Sequence, residues 1–254
     1  MRFFKILILF FLLPFAVNAQ DEYFVVKSVI NGKSFILESG DKVRLASLQV
    51  PNTQEENTPE HHGRNGEPLG DEARNALSSL ILGKKIRIEY NPAKRDRHNR
   101  LLGQVYDEKG NWIQGEMLKK GYAMVYSFSD DVPETIDKMI ELEKNAIKSG
   151  VGIWSNPYFR IIKTEEAAEF INRYKLVEGT IVSVNQSHDN IYLNFSKEWR
   201  GKFAVFISHK NMDNFRGIDF KSLIGKKVIV RGWINYHNAP MINVNNFKQI
   251  EILN

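Results

Sequence analysis

Phe35 and Leu37, Val43 and Leu45, and Ile86, Ile88 and Tyr90 take every second place in short runs whose other members are mostly polar. A period of two puts one face of an extended segment in a core and the other in water. Asn31-Gly32 and Ser39-Gly40-Asp41 punctuate the first runs and supply tight turns. Residues 23–48 are therefore expected to form a meander of three short strands. With 43% hydrophobic and 26% charged residues, the chain has enough apolar side chain to build real cores.

The first residues break this pattern. A basic start (Arg2, Lys5) precedes an apolar run from Ile6 to Val17, followed by Asn18-Ala19. Spanning a bilayer takes about 20 apolar residues, which this run does not reach. The expectation is a signal peptide over residues 1–19, cleaved after Ala19, and an exported protein, periplasmic or secreted. The sequence contains no cysteine, so the mature chain would hold by packing without disulfides and would carry no lipidated cysteine. The formal charge of +5 falls to +3 once Arg2 and Lys5 leave, a mildly basic balance that permits an anionic partner.

Further along, residues 52–70 are polar and rich in Gly, Pro, Asn, Glu and His, as in a long loop. Ala73, Ala76, Leu77, Leu80 and Ile81 share one face of a helix, which Gly83 ends as a left-handed cap. A strand at 86–90, a basic turn at 91–99 and a returning strand at 101–106 follow. Helices are expected at 112–120 and at 133–149, the latter with Pro133 in its first turn and a stripe of Ile136, Met139, Ile140 and Ile147. A small helix over 165–174, capped by Thr164, leads into five strands: 177–184, 191–195, 203–207, 228–234 and 241–244. A helix near 219–224 sits between the third and fourth. That order indicates a small Greek-key barrel of the oligonucleotide/oligosaccharide-binding (OB) type. Leu82-Gly83-Lys84-Lys85-Ile86 recurs as Ile224-Gly225-Lys226-Lys227-Val228, a helix end, glycine cap, two lysines and a strand in both halves. The expected class is β-rich α+β, with domains at 20–160 and 161–254.

Residues 23–157 resemble the thermonuclease (staphylococcal-nuclease-like) family, itself a helix-bearing OB barrel. The resemblance rests on Val29-Ile30-Asn31-Gly32-Lys33-Ser34, on Val43-Arg44-Leu45-Ala46 leading to Pro51, and on Asp96-Arg97-His98-Asn99-Arg100-Leu101. Leu118-Lys119-Lys120-Gly121-Tyr122-Ala123 and Gly152-Ile153-Trp154 complete it. The family implies two aspartates and a glutamate that gather calcium and a nucleophilic water, and two arginines that clamp phosphate. Here Arg44 and Arg100 match the arginines. The aspartate positions are Lys33 and Gln49, and the glutamate position is Asn52. The resemblance therefore implies the fold without the carboxylates. Glu55 and Glu56, or Glu38 and Asp41, are the acids near enough in sequence to compensate. The second half is similar to the tail of some degenerate thermonuclease-like bacterial proteins.

Other groups carry weaker signals. Lys94, Arg95, Arg97 and His98 form a basic run, ordinarily a solvated hairpin tip, which beside Arg100 could draw in polyanions. His61-His62 lies among Glu55, Glu56 and Glu60 but has no recognised ligand spacing, so no metal ligand is assigned. In the second half Tyr192, Trp199, Trp233 and Tyr236, with Arg231, form a candidate nucleic-acid platform, while Phe195 and Phe203 fit a core. Three functions compete. The leading one is an exported, catalytically degenerate module binding nucleic acid or another polyanion through Arg44 and Arg100, with no cofactor. The alternative is an active metal-dependent endonuclease, for which calcium would be needed. The third is an envelope protein that binds protein or glycan.

Overall fold

The computed structural model describes residues 22–54, 66–127 and 131–253. The leader at 1–19, and Glu55, Glu56, Glu60 and His61-His62, lie outside the described residues. Among the described residues no helix is long and apolar enough to cross a membrane.

Strands β1 (Tyr23–Asn31), β2 (Ser34–Leu37) and β3 (Lys42–Leu45) form the expected meander, with a short β4 (Leu48–Gln49) after it. Helix α1 (Gly70–Ile81) buries Ala73, Leu77 and Ile81. Strand β5 (Lys85–Arg95) runs through most of the segment expected to be a turn, and β6 (Leu101–Asp107) returns. Alternation weakens after Tyr90 because the β5–β6 register shifts there, so the sequence pattern stops before the strand does. Helix α2 (Ile113–Lys119), strand β7 (Met124–Val125, paired with β4) and helix α3 (Pro133–Ser149) complete this half. The five main strands close in the order β1-β2-β3-β6-β5, with β3 and β6 parallel. Phe35, Leu37, Val43, Leu45, Ile86 and Val105 fill the inside, and α1, α2 and α3 cover it.

The expected helix over 165–174 is a 3-10 helix, Thr164–Phe170. Thr164 is not its cap. Glu166 instead accepts from Lys163 N at 2.8 Å. Asn172, at φ 62°, turns the chain out of helix and straight into a strand. After β8 (Ile162–Lys163) come β9 (Tyr174–Thr180), β10 (Ser183–Ser187), β11 (Asn190–Asn194), β12 (Ala204–Ile207), β13 (Lys227–Tyr236), β14 (Pro240–Asn243) and β15 (Ile250–Leu253). The segment expected as one strand, 177–184, is thus parts of two, split at Ile181-Val182. The sheet order is β10-β11-β12-β14-β13-β9-β8, with β15 on β13. The strands β9 and β10, on opposite sides of this sheet, follow one another in the chain like the two arms of one bent strand.

Set side by side, the sheets share their connectivity. Each has a third strand parallel to its fifth, β3 with β6 and β12 with β14. Each has helical turns before its fourth strand, α1 before β5 and a 3-10 turn at Phe220–Leu223 before β13. The repeated pentapeptide sits at the same junction in both. Gly83 (φ 69°) and Gly225 (φ 82°) take the left-handed conformation that glycine favours. Gly83 N donates to Val26 O at 3.0 Å, and Val26 N to Lys84 O at 3.0 Å. Gly225 N donates to Ile181 O at 2.8 Å, and Ile181 N to Lys226 O at 3.0 Å. The repeat is therefore one structural device used twice.

A third apolar cluster lies between the halves. Met124, Ile153 and Phe159 pack with Tyr174, Leu176 and Ile229. At its edge Tyr174 donates its hydroxyl to Val125 O at 2.6 Å, and Ser127 donates to Asn246 Oδ1 at 3.1 Å. Lys248 pairs with Asp137 at 2.6 Å and Lys144 with Glu251 at 2.8 Å.

Candidate functional site

The turn between β1 and β2 is shaped by Asn31, whose Oδ1 accepts from Lys33 N at 3.0 Å. This bond, together with Leu45 N donating to Lys33 O at 2.8 Å, fixes the backbone of Lys33 against β3. Its buried side chain reaches across to β4, where Nζ donates to Gln49 Oε1 at 3.2 Å. Gln49 is also buried and spends its own amide hydrogen on Val50 O at 3.0 Å. The two positions at which the family resemblance implies aspartates are thus joined by an ammonium-to-amide hydrogen bond.

Asn52 is buried and held by Glu67, a residue that sequence reasoning did not single out. Asn52 N donates to Glu67 Oε2 at 3.0 Å, and Glu67 N donates to Asn52 O at 2.8 Å. Glu67 Oε1 accepts from the Tyr158 hydroxyl at 2.9 Å and pairs with Arg173 at 3.5 Å. Burial, followed by the Glu67 charge, pushes the Tyr158 hydroxyl well above its ordinary range, so it stays a donor. The start of α1 lies directly against this latch: a Cβ on Gly70 would stand 2.1 Å from Asn52 O.

Arg44 projects from β3 and Arg100 from the start of β6. Burial, followed by the charge of Arg100, lowers the pKa of Arg44, so the two guanidinium groups feel one another. Arg44 remains a cation in any ordinary buffer. Arg100 is braced by Asp96 four residues before it, at 2.7 Å to Nη2 and 2.8 Å to Nε. Burial raises the Asp96 carboxyl, but hydrogen bonds and charge from Arg100 outweigh this and hold it below the usual carboxylate range. Tyr126 completes the surroundings of Arg44. Its hydroxyl is pushed up by burial and drawn down by the Arg44 and Arg97 charges. Asp41 lies elsewhere, paired with Arg95 at 2.9 Å on the hairpin tip. Among the described residues no three of His, Cys, Asp and Glu come together as a metal centre would require.

The candidate platform of the second half divides. Trp199 and Tyr236 are open to solvent, 51% and 68% exposed. Tyr192 is half-buried and lies beside Phe206, ring centroids 5.2 Å apart. Trp233 belongs instead to the cluster between the halves, edge-on to Tyr174 at 5.8 Å. Arg231 is no platform residue at all. It is 1% exposed and paired with Glu143, itself 0% exposed, on α3. Glu143 uses its second oxygen to accept from Val125 N at 2.7 Å. Arg231 lies on a central strand and points toward α3, and its partner is far away in sequence.

The family description "Staphylococcal nuclease homologue" matches residues 42–156. Residues 42–156 are a staphylococcal-nuclease-like domain. The chain is similar to a thermonuclease of Staphylococcus hyicus, 27% identical over 142 residues that cover 55% of this chain and 79% of that one. It is similar to a probable endonuclease, LCL3, of Komagataella phaffii, 31% identical over 117 residues, 44% of this chain and 48% of the relative. It is also similar to endonuclease YhcR of Bacillus subtilis, 29% identical over 151 residues, 56% of this chain and 12% of the relative. The chain thus spans about half or less of these last two proteins. All three alignments cover only part of this chain.

Proposed function

We propose that this protein binds nucleic acid or another polyanion at a staphylococcal-nuclease-like site that has lost its hydrolytic chemistry, and that it does so after export and removal of residues 1–19. The observation that carries this reading is the buried Lys33 ammonium hydrogen-bonded to Gln49 Oε1. A hard divalent cation requires several oxygen ligands, anionic ones above all. These two positions offer a positive charge and a neutral amide whose oxygen is already engaged. An ammonium about 4 Å from a divalent ion repels it by about 8 kcal/mol at an effective dielectric near 20. The residues present do not fit calcium. Asn52 supplies an amide, which has no basic lone pair to take a proton from water near neutral pH.

What remains is suited to binding. Guanidinium forks match the oxygens of a phosphodiester in two-point hydrogen bonds. Asp96 already fixes the Arg100 fork, so less side-chain freedom is lost when a phosphate arrives. Lys33 leaves the neighbourhood positive without a metal. The groups that hold a phosphate are kept and those that would attack it are gone.

The names of the relatives, one thermonuclease and two endonucleases, favour a second reading, metal-dependent hydrolysis with acids recruited from outside the family positions. A plasmid-nicking assay with calcium and with chelator separates the two. Supercoiled plasmid is expected to stay intact under both conditions. Chelator-sensitive nicking that Arg44→Ala abolishes would establish the hydrolase instead.

A further inference from the structure

A cleft of about 680 Å³ opens on the second sheet. Its walls come from β10, β11, the segment before β12 and the turn joining β13 to β14. Tyr192, Trp199, Arg200, Lys202 and His237 line it, with amides such as Asn194 and Asn238, and no Asp or Glu is among its described lining residues. The volume falls in the range of ligand sites, roughly 300–1,000 Å³.

Its chemistry selects an occupant. Trp199 is half exposed, and the Arg200 guanidinium lies over its ring, 5.4 Å from the centroid, which steadies it. Tyr192 is supported from the adjoining strand by Phe206, with which it is paired in register. Two aromatic groups and two cations lining one cleft, with no carboxylate among its described lining residues, match a ligand that carries flat faces and negative charges in alternation. A base stack on an aromatic ring is sequence-tolerant because every base has a π-face. A duplex hides those faces, and a neutral glycan has no use for the cations.

We propose that this cleft binds single-stranded nucleic acid, with bases stacked on Trp199 and Tyr192 and the flanking phosphates held by Arg200 and Lys202. The site is separate from Arg44 and Arg100 and stands or falls without them. The test is fluorescence anisotropy of a labelled octathymidylate titrated with the full chain at low salt. Trp199→Ala should weaken binding on the order of tenfold, the loss of one base stack, whereas Trp199→Phe should retain most of it. The double variant R200A/K202A should weaken binding and flatten its salt dependence. The double variant R44A/R100A should leave the effect of Trp199→Ala intact. Trp199 is exposed, so its replacement does not threaten folding. Unchanged affinity in Trp199→Ala, equal affinity for a blunt duplex of the same length, or displacement of the octathymidylate by a neutral glucan hexamer would each overturn the proposal. Loss of binding in R44A/R100A with no effect of Trp199→Ala would also overturn it, and would leave the first site as the only one.

Discussion

In the first sheet, of the cations at the candidate site, Lys33 is buried and Arg44 and Arg100 are partly buried, with Lys33 oriented by Gln49 and Arg100 by Asp96. In the second sheet Arg200 and Lys202 stand on the open wall of a cleft, while Arg231, on a central strand, is sealed against Glu143. The strand connectivity is the same in both, down to the hydrogen bonds around Gly83 and Gly225. Connectivity therefore does not decide what a cation does. Local surroundings do: the buried Lys33 meets an amide oxygen, Arg231 is sealed against a carboxylate from the other half, Arg100 is braced by a carboxylate of its own turn, and the exposed Arg200 lies over an aromatic ring.

The largest effect should come from breaking the sealed pair. Arg231→Met leaves Glu143 buried without its guanidinium partner, and should lower unfolding free energy by about 3–5 kcal/mol in urea titrations of the full chain. The double variant R231M/E143L should recover most of this, less about 1–3 kcal/mol because Val125 N loses its acceptor. A small loss in Arg231→Met alone would mean that the interface is held by its apolar cluster. Next, Gly70→Ala drives a methyl into Asn52 O and should cost about 1–3 kcal/mol by the same measurement. It should also disturb polyanion binding in the first half and spare the octathymidylate effect of Trp199→Ala. Arg44→Ala and Arg100→Ala should each reduce the slope of log affinity against log salt by about 1 for a long polyanion. No change in slope would remove both from the binding account.

The smallest effect concerns pH. Lys175 is buried against the rings of Tyr158 and Phe170, at 4.7 and 4.3 Å. Burial lowers its pKa from 10.5 to about 8. Below pH 8 the ammonium is charged in both folded and unfolded chains, and the folded chain bears the desolvation cost. As pH rises above 8 the folded chain releases that proton first, so stability should increase from there toward the unfolded value of 10.5. Unfolding free energy measured between about pH 8 and 9 should rise in the native chain and stay flat in Lys175→Met.

Much of this was readable from the sequence, and the misses share a cause. The apolar stripe of α1 and the cap at Gly83 are local patterns with fixed spacing, and local patterns carry their own meaning; the assignment of Lys33, Gln49 and Asn52 to acidic positions rests on the family resemblance alone. The brace on Arg100 was also within reach, since an aspartate and an arginine four residues apart are natural partners in a tight turn. Arg231 was misread because a cation in an alternating strand looks like a surface residue until its partner is known, and Glu143 lies 88 positions away. Trp233 was misread for the same reason, as its neighbour Tyr174 belongs to a segment expected to be helical. Glu67 gave no signal, because its role depends on the chain doubling back from Asn52. The extra length of β5 was hidden where its register with β6 shifts.

Isothermal titration of the protein with calcium and with a nucleoside 3′,5′-bisphosphate, singly and together, tests the central claim that Lys33 has taken the place of the cation. The account predicts no calcium binding, bisphosphate binding that calcium does not strengthen, and calcium binding gained by the triple variant K33D/Q49D/N52E. Calcium binding to the native protein, or bisphosphate affinity that rises when calcium is added, would contradict it.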